Sequence, residues 1–150
     1  MYKLIRTNSQ NKDFIDLVKL LDEDLARRDG EDHSFYAQYN KLDNINHALV
    51  LYKNNLPVCI GAIKEFDADS MEVKRMYTLS DFRGQGLAKR VLLKLENWAN
   101  ELGYKRCVLE TGKRQPEAIN LYKKNGYTSI SNYGQYMGIE NSLCFEKQLK

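Results

Sequence analysis

The chain has 150 residues, of which 43% are hydrophobic and 29% are charged, and its formal net charge at pH 7 is +3. This length and composition are typical of one globular domain with its own core, so we predict a single domain over residues 1–150. The net charge is too small to argue for a nucleic-acid partner, and we expect none. No apolar run approaches the roughly 20 residues that a membrane span needs.

Hydrophobic periodicity and turn residues predict eleven elements. In chain order they are a strand at 2–7, helices at about 11–28 and 34–41, strands at 47–53, 58–66 and 71–78, a helix at about 86–102, a strand at 106–111, a helix at about 116–125, and strands at 127–131 and 143–149. Ser9 is placed to cap the first helix, and Asn54-Asn55 marks a hairpin turn. Pro116 suits the first turn of the last helix, and Gly126 suits its end.

The order of these elements, β-α-α-β-β-β-α-β-α-β-β, predicts an α/β fold of the α+β type. We expect a single mixed sheet of about seven strands, mostly antiparallel, with about four helices packed on its faces.

The stretch Arg83-Gly84-Gln85-Gly86-Leu87-Ala88 lies between a predicted strand and an amphipathic helix. Unpaired N–H groups and the positive end of the helix dipole favour an anion at such a place. Glycine lets the backbone approach a ligand closely, and Arg83 adds positive charge. The stretch therefore indicates a phosphate-binding turn, although two glycines and an arginine are also found in simple tight loops.

Charge and cysteine content bear on partners and compartment. Residues 1–75 carry 11 basic and 13 acidic side chains, whereas residues 76–150 carry 12 and 7. The basic half contains the glycine turn, which suits a polyanionic small ligand and equally a solvated basic face. The N-terminus lacks the apolar core of a signal peptide, and Cys59, Cys107 and Cys144 are typical of reduced core thiols. We predict a cytoplasmic protein without a membrane partner or a metal site.

Three stretches in this order resemble the GNAT superfamily of acetyl-CoA-dependent N-acetyltransferases. Arg83, Gly86 and Ala88 fill that family's cofactor turn, Gln/Arg-x-x-Gly-x-Gly/Ala, and the preceding strand ends in Met76-Tyr77-Thr78. The family's third stretch, Asn-x-x-Ala-x-x-Leu-Tyr followed by Gly-Phe, is matched in register by Gln115, Ala118, Leu121, Tyr122, Gly126 and Tyr127. The departures from the family pattern are Thr78 for valine, Ser80 for proline and Gln115 for asparagine.

The resemblance implies a site for acetyl-CoA as cosubstrate. The backbone amides of residues 84–88 would hold the pyrophosphate, and Gln115 stands where the family has a cofactor-binding asparagine. The strand before the turn would diverge from its neighbour, so that Met76 and Thr78, with Tyr77 between them, offer free backbone groups to the pantetheine arm. An amide there would also stabilise the developing oxyanion, an effect worth about 3 kcal/mol for a comparable donor.

The resemblance further implies that Tyr122 protonates the leaving thiolate, since a phenol with a pKa near 10 is a proton donor at neutral pH. The helix pattern alone favours a tyrosine that packs, whereas its place in Leu-Tyr, four residues before Gly126, favours the catalytic role. The acceptor amine must lose a proton, because a lysine-like amine is less than about 1% neutral at pH 7. Glu72 is our choice of base, with Glu65, Glu110 or a water as alternatives, and each carboxylate also suits a structural role.

In the family, the first two helices and the loop between the last two strands build the acceptor site. Here those segments contain Asp29, Glu31, Asp32, His33, Tyr36, Tyr39, Tyr133, Gln135 and Tyr136. Acidic and aromatic side chains suit a cationic amine of a small molecule or peptide, but a solvated turn and packed tyrosines also account for them. The lead hypothesis is an N-acetyltransferase that works by direct attack in a ternary complex. An acyl-CoA-binding regulatory module without turnover is the alternative, and a homodimer is a possible assembly.

Overall fold

The computed structural model describes residues 1–29 and 44–150. In these residues one sheet contains the strands β1 (Tyr2–Thr7), β2 (His47–Lys53), β3 (Leu56–Asp67), β4 (Ser70–Thr78), β5 (Arg106–Gly112), β6 (Thr128–Ile130) and β7 (Ser142–Gln148). Its three described helices are α1 (Lys12–Asp29), α2 (Leu87–Glu101) and α3 (Pro116–Lys124). The helix predicted over about 34–41 lies outside the described residues. None of the helices in the described ranges has both the length and the apolar character needed to cross a bilayer.

The seven strands follow the order β1-β2-β3-β4-β5-β7-β6 across the sheet. Every neighbouring pair is antiparallel except β4 and β5, which are parallel. A parallel pair needs a crossover connection. Helix α2, which follows β4 and precedes β5 in the chain, supplies it by packing over one face of the sheet. The predicted mixed, mostly antiparallel sheet is therefore confirmed.

Two layers of helix cover the sheet. The amphipathic face of α2 packs with α3 against one side, in a core that includes Leu49, Leu51, Val91, Leu92, Leu95, Tyr122 and Phe145. Helix α1 covers the other side through Phe14, Leu17 and Val18, which contact Val50, Ile60 and Ala62. Burying each large apolar side chain contributes roughly 1.5–3 kcal/mol, so these contacts fix the helices to the sheet.

The β2–β3 hairpin is tighter than predicted. Asn54 and Asn55 have φ values of 51° and 70°, and this pair of left-handed residues makes the two-residue turn that matches the twist of a hairpin. Because the turn has only two residues, β3 begins at Leu56 instead of residue 58.

The predicted Ser9 cap is wrong. The Phe14 N–H donates to Asn11 Oδ1 at 3.0 Å, so Asn11 caps α1. The hydroxyl of Ser9 instead accepts from the Ile45 N–H at 3.1 Å, and the Ser9 N–H donates to the Ile45 carbonyl at 2.9 Å. Ser9 thus ties the start of α1 to the chain that enters β2.

The predicted core thiols are confirmed as buried. Cys59, Cys107 and Cys144 are at most 2% exposed, and none is in a disulfide. Burial raises the pKa of Cys59 to about 11 and that of Cys107 to about 12.

Candidate active site

Strands β4 and β5 separate along their length, and a cavity opens between them. They pair at Ser70–Glu72 with Arg106–Val108, and no further β4–β5 pair forms in the described chain, although β4 runs on to Thr78 and β5 to Gly112. The cavity has a volume of about 480 Å³ and is lined by residues of α1, β4, the glycine turn, β5 and α3. The edge of β4 that faces β5 is therefore open to a ligand, as the resemblance implied.

A bulge interrupts β4 at the cavity. Lys74 pairs with Ala62 and Tyr77 with Ile60, so Arg75 and Met76 together stand opposite Gly61. Arg75 has a φ of 59°, a left-handed conformation that costs a bulky residue about 1–3 kcal/mol. A Cβ on Gly61 would lie 2.6 Å from Met76 Sδ, so glycine makes room for the extra residue.

The bulge changes which way the side chains of β4 point. Val73 and Met76 both join the core on the α2 side, whereas Tyr77 packs into the core on the α1 side. Residues three apart in a regular strand would face opposite sides, so the extra residue restores Met76 to the face of Val73. Arg75 pairs with Asp22 of α1 at 3.5 Å, with its side chain only 3% exposed.

The glycine turn leads from β4 into α2 along the cavity. Gly84 and Gly86 have φ values of 80° and 77°, and a Cβ on either would meet nothing within 4 Å. The positive φ values favour glycine at both positions, and the empty space beside the two glycines can accommodate a ligand. The first N–H groups of α2 have no acceptor within the helix. The Arg83 Nε donates to the Thr78 carbonyl at 2.9 Å, which fixes the turn against the end of β4.

The predicted cofactor-binding residues fall into two groups. Those that line the cavity are Met76, Tyr77, Thr78, Arg83, Gly84, Gly86, Leu87, Ala88 and Gln115. Gln85 does not line it, and its side-chain oxygen accepts instead from the Tyr2 hydroxyl at 3.4 Å. Gln115 precedes α3, and its Nε2 lies 3.4 Å from where a Cβ of Gly112 would stand.

Tyr122 faces the cavity from α3 and is 6% exposed. Its ring packs edge-on against Tyr127, with centroids 5.7 Å apart. The hydroxyl makes no hydrogen bond with any described residue, and it is not sealed from solvent. Burial, and then the charge of Glu110 and the nearby Cys59, raise the pKa of Tyr122 above its usual value. The phenol is therefore protonated and directed at the cavity.

Of the three candidate bases, Glu72 and Glu110 line the cavity and Glu65 does not. Glu65 is exposed and accepts a hydrogen bond from the Tyr104 hydroxyl. Glu72 is 8% exposed and accepts from the Tyr133 hydroxyl at 2.7 Å. The ammonium of Lys74 lies 3.7 Å from its other oxygen.

Two tyrosines of the β6–β7 loop flank these carboxylates. Tyr136 is 3% exposed and lines the cavity, and the ring of Tyr133 packs edge-on against it at 5.8 Å. Burial raises the pKa of both, helped by Glu72 for Tyr133 and by Glu110 for Tyr136. Gln135 is in the same loop but does not line the cavity. Asp29 ends α1, whereas Glu31, Asp32, His33, Tyr36 and Tyr39 lie outside the described residues.

Sequence reasoning did not find five charged residues of the cavity wall: Asp24, Lys74, Arg75, Lys89 and Glu117. For Lys74 and Arg75 the available signal was two adjacent charges inside a predicted strand, because an ordinary strand would send one of the two charges into the core. The Tyr133–Glu72 hydrogen bond joins residues 61 positions apart, so no local sequence pattern predicts it.

Residues 14–127 match the family model described as the acetyltransferase (GNAT) family. An uncharacterised N-acetyltransferase of Escherichia coli, YjgM, is 44% identical over 71 residues, which are 47% of this chain and 42% of that protein. The chain thus spans less than half of that relative's length. An IAA acetyltransferase of Azospirillum brasilense is 34% identical over 67% of both chains.

Solved structures of related proteins share this fold over nearly the whole chain. A Klebsiella pneumoniae protein assigned to the acyl-CoA N-acyltransferases superposes with a TM-score of 0.84 at 28% identity, over 100% of this chain and 99% of that one. A GNAT family acetyltransferase from Elizabethkingia anophelis, solved with acetyl-CoA bound, superposes with a TM-score of 0.71 at 17% identity, over 99% of this chain and 98% of that one.

Proposed function

Because this chain belongs to the acetyltransferase (GNAT) family, we propose that it moves the acetyl group of acetyl-CoA to a primary amine of a small molecule or peptide. The observation that carries the proposal is the single cavity that joins the glycine turn, the open edge of β4, Tyr122 and Glu72. A thioester that enters along β4 would thereby meet a proton donor and a base in one place.

Each part of the cosubstrate has a counterpart in the cavity wall. The pyrophosphate would lie on the amides of Gly84–Ala88, where the helix dipole and Arg83 favour negative charge. The pantetheine arm would lie against the edge of β4 at Met76–Thr78, which has no partner strand on that side among the described residues. Gln115 would contact the arm from the start of α3.

The chemistry proceeds by direct attack in a ternary complex. Glu72 takes a proton from the acceptor ammonium, directly or through a water, and the amine nitrogen attacks the thioester carbonyl carbon. A backbone amide of β4 stabilises the oxyanion. The carbon–sulfur bond then breaks, and Tyr122 donates its proton to the departing thiolate. The second proton of the attacking nitrogen leaves as the amide forms and returns through water to the Tyr122 phenolate. Tyr122 suits this role because its hydroxyl is protonated and points into the cavity.

The carboxylates and tyrosines at the other end of the cavity support a cationic acceptor. Glu72, Glu110 and Asp24 line the wall there with Tyr136, and an ammonium is attracted both to carboxylates and to aromatic faces. This end is also where α1 approaches β4, through the Arg75–Asp22 pair.

A calorimetric titration with acetyl-CoA, followed by thiol-release assays over a panel of amines, tests the proposal. We expect micromolar or tighter binding of acetyl-CoA and turnover with at least one amine. Binding without turnover across the panel would favour the alternative, an acyl-CoA-binding regulatory module. No binding to the folded protein would contradict both functions.

A further inference from the structure

Two cations share one aromatic ring beside the glycine turn. The guanidinium carbon of Arg90 lies 4.6 Å from the centroid of the Tyr2 ring, and Lys53 Nζ lies 5.6 Å from the same centroid. Lys53 Nζ is also 5.6 Å from the ring of Phe82. We call Tyr2, Lys53, Phe82 and Arg90 the Tyr2 cluster.

No carboxylate of residues 1–29 and 44–150 forms an ion pair with the two cations of the Tyr2 cluster. Among the described residues, neither Lys53 nor Arg90 has an ion-pair partner. Their distances from the Tyr2 centroid place the two charges within about 10 Å of one another. This upper limit is slightly beyond the screening length of about 8 Å at physiological salt, so the two cations repel one another only weakly, whereas an anion that contacts both is attracted by both.

The Tyr2 cluster is adjacent to the anion-binding turn. The Arg90 N–H donates to the Gly86 carbonyl at 3.2 Å, so Arg90 lies one helical turn beyond Gly86 on the same face of α2. Side chains of a helix lean towards its N-terminus, which directs Arg90 back over the turn. Gln85 accepts from the Tyr2 hydroxyl at 3.4 Å, and Phe82 lines the cavity. The cluster therefore lies beside the glycine turn and meets the cavity wall at Phe82, while Tyr2, Lys53 and Arg90 stand outside the lining.

We infer that Lys53 and Arg90 bind the 3′-phosphate of the coenzyme A ribose while the glycine turn holds the pyrophosphate. This inference rests on the proposed cosubstrate. A phosphomonoester carries a charge of about −1.5 to −2 at pH 7 and three acceptor oxygens. Arginine can bind such a group through two N–H donors, and lysine adds a second charge. The ring of Tyr2 preorganises both cations, so little side-chain freedom is lost on binding.

Calorimetric dissociation constants for coenzyme A and 3′-dephospho-coenzyme A test the inference, since the two ligands differ only in that phosphate. For the unmodified protein we expect coenzyme A to bind about tenfold more tightly. Lys53→Gln and Arg90→Gln should each weaken coenzyme A binding by about threefold or more and leave 3′-dephospho-coenzyme A within about twofold. The double variant should bind both ligands about equally.

Two further variants sharpen the test. Lys94→Gln removes an exposed cation one helical turn beyond Arg90, and it should leave both dissociation constants unchanged. Tyr2→Leu removes the shared ring and should reduce the preference for coenzyme A while both cations remain. Equal affinity of the unmodified protein for both ligands, or equal losses for both ligands in the variants, would overturn the inference and leave the proposed function standing. No binding of either ligand would contradict the cosubstrate itself.

Discussion

At the scale of single residues, Tyr122 joins the packing of α3 to the proposed chemistry. Its ring is part of the core between Tyr127 and Phe145, while its hydroxyl reaches the cavity with no hydrogen-bond partner in the described chain. Because the hydroxyl is open to the cavity, a ligand atom can accept its hydrogen bond in place of water. Packing alone would be served equally well by phenylalanine.

The substitution Tyr122→Phe separates these roles. If the hydroxyl protonates the thiolate, kcat should fall by about 100-fold, the lower limit for general acid catalysis, while the dissociation constant of acetyl-CoA stays unchanged. The free energy of unfolding should change little, because the ring remains. Steady-state kinetics at the pH optimum with parallel calorimetry would check this. An unchanged kcat would remove Tyr122 from the mechanism.

The Tyr133–Glu72 hydrogen bond makes a second prediction at this scale. Tyr133→Phe removes the 2.7 Å donor to Glu72 and should lower kcat by about three- to tenfold, because the carboxylate is no longer held in place. Glu72→Gln should lower kcat by about 100-fold.

A double-mutant cycle shows whether Tyr133 acts through Glu72. Once Glu72 is glutamine, Tyr133→Phe should have no further effect on kcat. Losses that multiply in the double variant would mean that Tyr133 contributes independently, for example by contacting the acceptor.

The sequence identified single residues only where they belong to a local pattern. Tyr122 and Arg83 were found through short motifs, and both lie at the cavity. Arg75 and the partner of Glu72 were not found, because a strand bulge and a contact between distant segments leave no periodic signal.

At the scale of elements, the glycine turn determines how α2 begins. Gly86 is the left-handed residue immediately before the helix, and no side chain caps the first turn. The N-terminal N–H groups are left to solvent or to a ligand, in contrast to α1, where Asn11 caps the helix. An uncapped start beside a cavity is what an anion site requires.

Gly86→Ala and Gly103→Ala form a matched pair that tests this function of the turn. Both glycines have positive φ, 77° and 92°, and a Cβ on either meets nothing within 4 Å. Each alanine should therefore cost about 1–2 kcal/mol of stability.

The two variants should differ in cofactor binding. Only Gly86→Ala places a methyl group where the pyrophosphate would lie, so it alone should weaken acetyl-CoA binding, by about tenfold or more. Gly103 follows the far end of α2 and does not line the cavity, so its variant controls for strain. Chemical denaturation measures the loss of stability in each variant, and calorimetry measures the affinity for acetyl-CoA. Equal affinities for acetyl-CoA in both variants would remove Gly86 from the site.

Most elements could be predicted because their periods and turn residues are local. The predicted strands at 2–7 and 47–53 have the observed bounds, and α2 differs from its prediction by one residue at each end. The capping of α1 was missed because Ser9 is engaged by Ile45, a partner 36 residues away. Tertiary contacts of this kind override a local preference.

At the scale of the whole molecule, the core contains many protonated groups. Burial raises the pKa of Cys59 and Cys144 to about 11, and that of Cys107 to about 12. The pKa values of three buried tyrosines and of the half-buried Tyr133 are raised as well; the buried ones are Tyr122, Tyr127 and Tyr136. At alkaline pH the folded state therefore holds the protons of these cysteines and tyrosines more tightly than the unfolded chain does.

This difference predicts alkaline destabilisation. Above the unfolded pKa values, 9.0 for cysteine and 10.0 for tyrosine, the unfolded chain loses protons that the folded chain keeps. The free energy of unfolding should therefore be constant up to about pH 8.5 and fall by more than about 2 kcal/mol by pH 11. Urea denaturation from pH 7 to pH 11, with tyrosinate absorbance as a second probe, would measure it. A free energy that stays constant across this range would contradict the prediction.

The bulge at Arg75 also bears on how the length of this chain can vary. Upstream of it, Val73 faces α2, and downstream the extra residue returns Met76 to that face and Tyr77 to the side of α1. Deleting one residue here would exchange the faces of everything between the bulge and the glycine turn, so a methionine and a tyrosine would each face the wrong layer. We therefore expect insertions and deletions to be tolerated at the Asn54-Asn55 hairpin and excluded from residues 73–78. Any alignment of this chain should keep that stretch free of gaps.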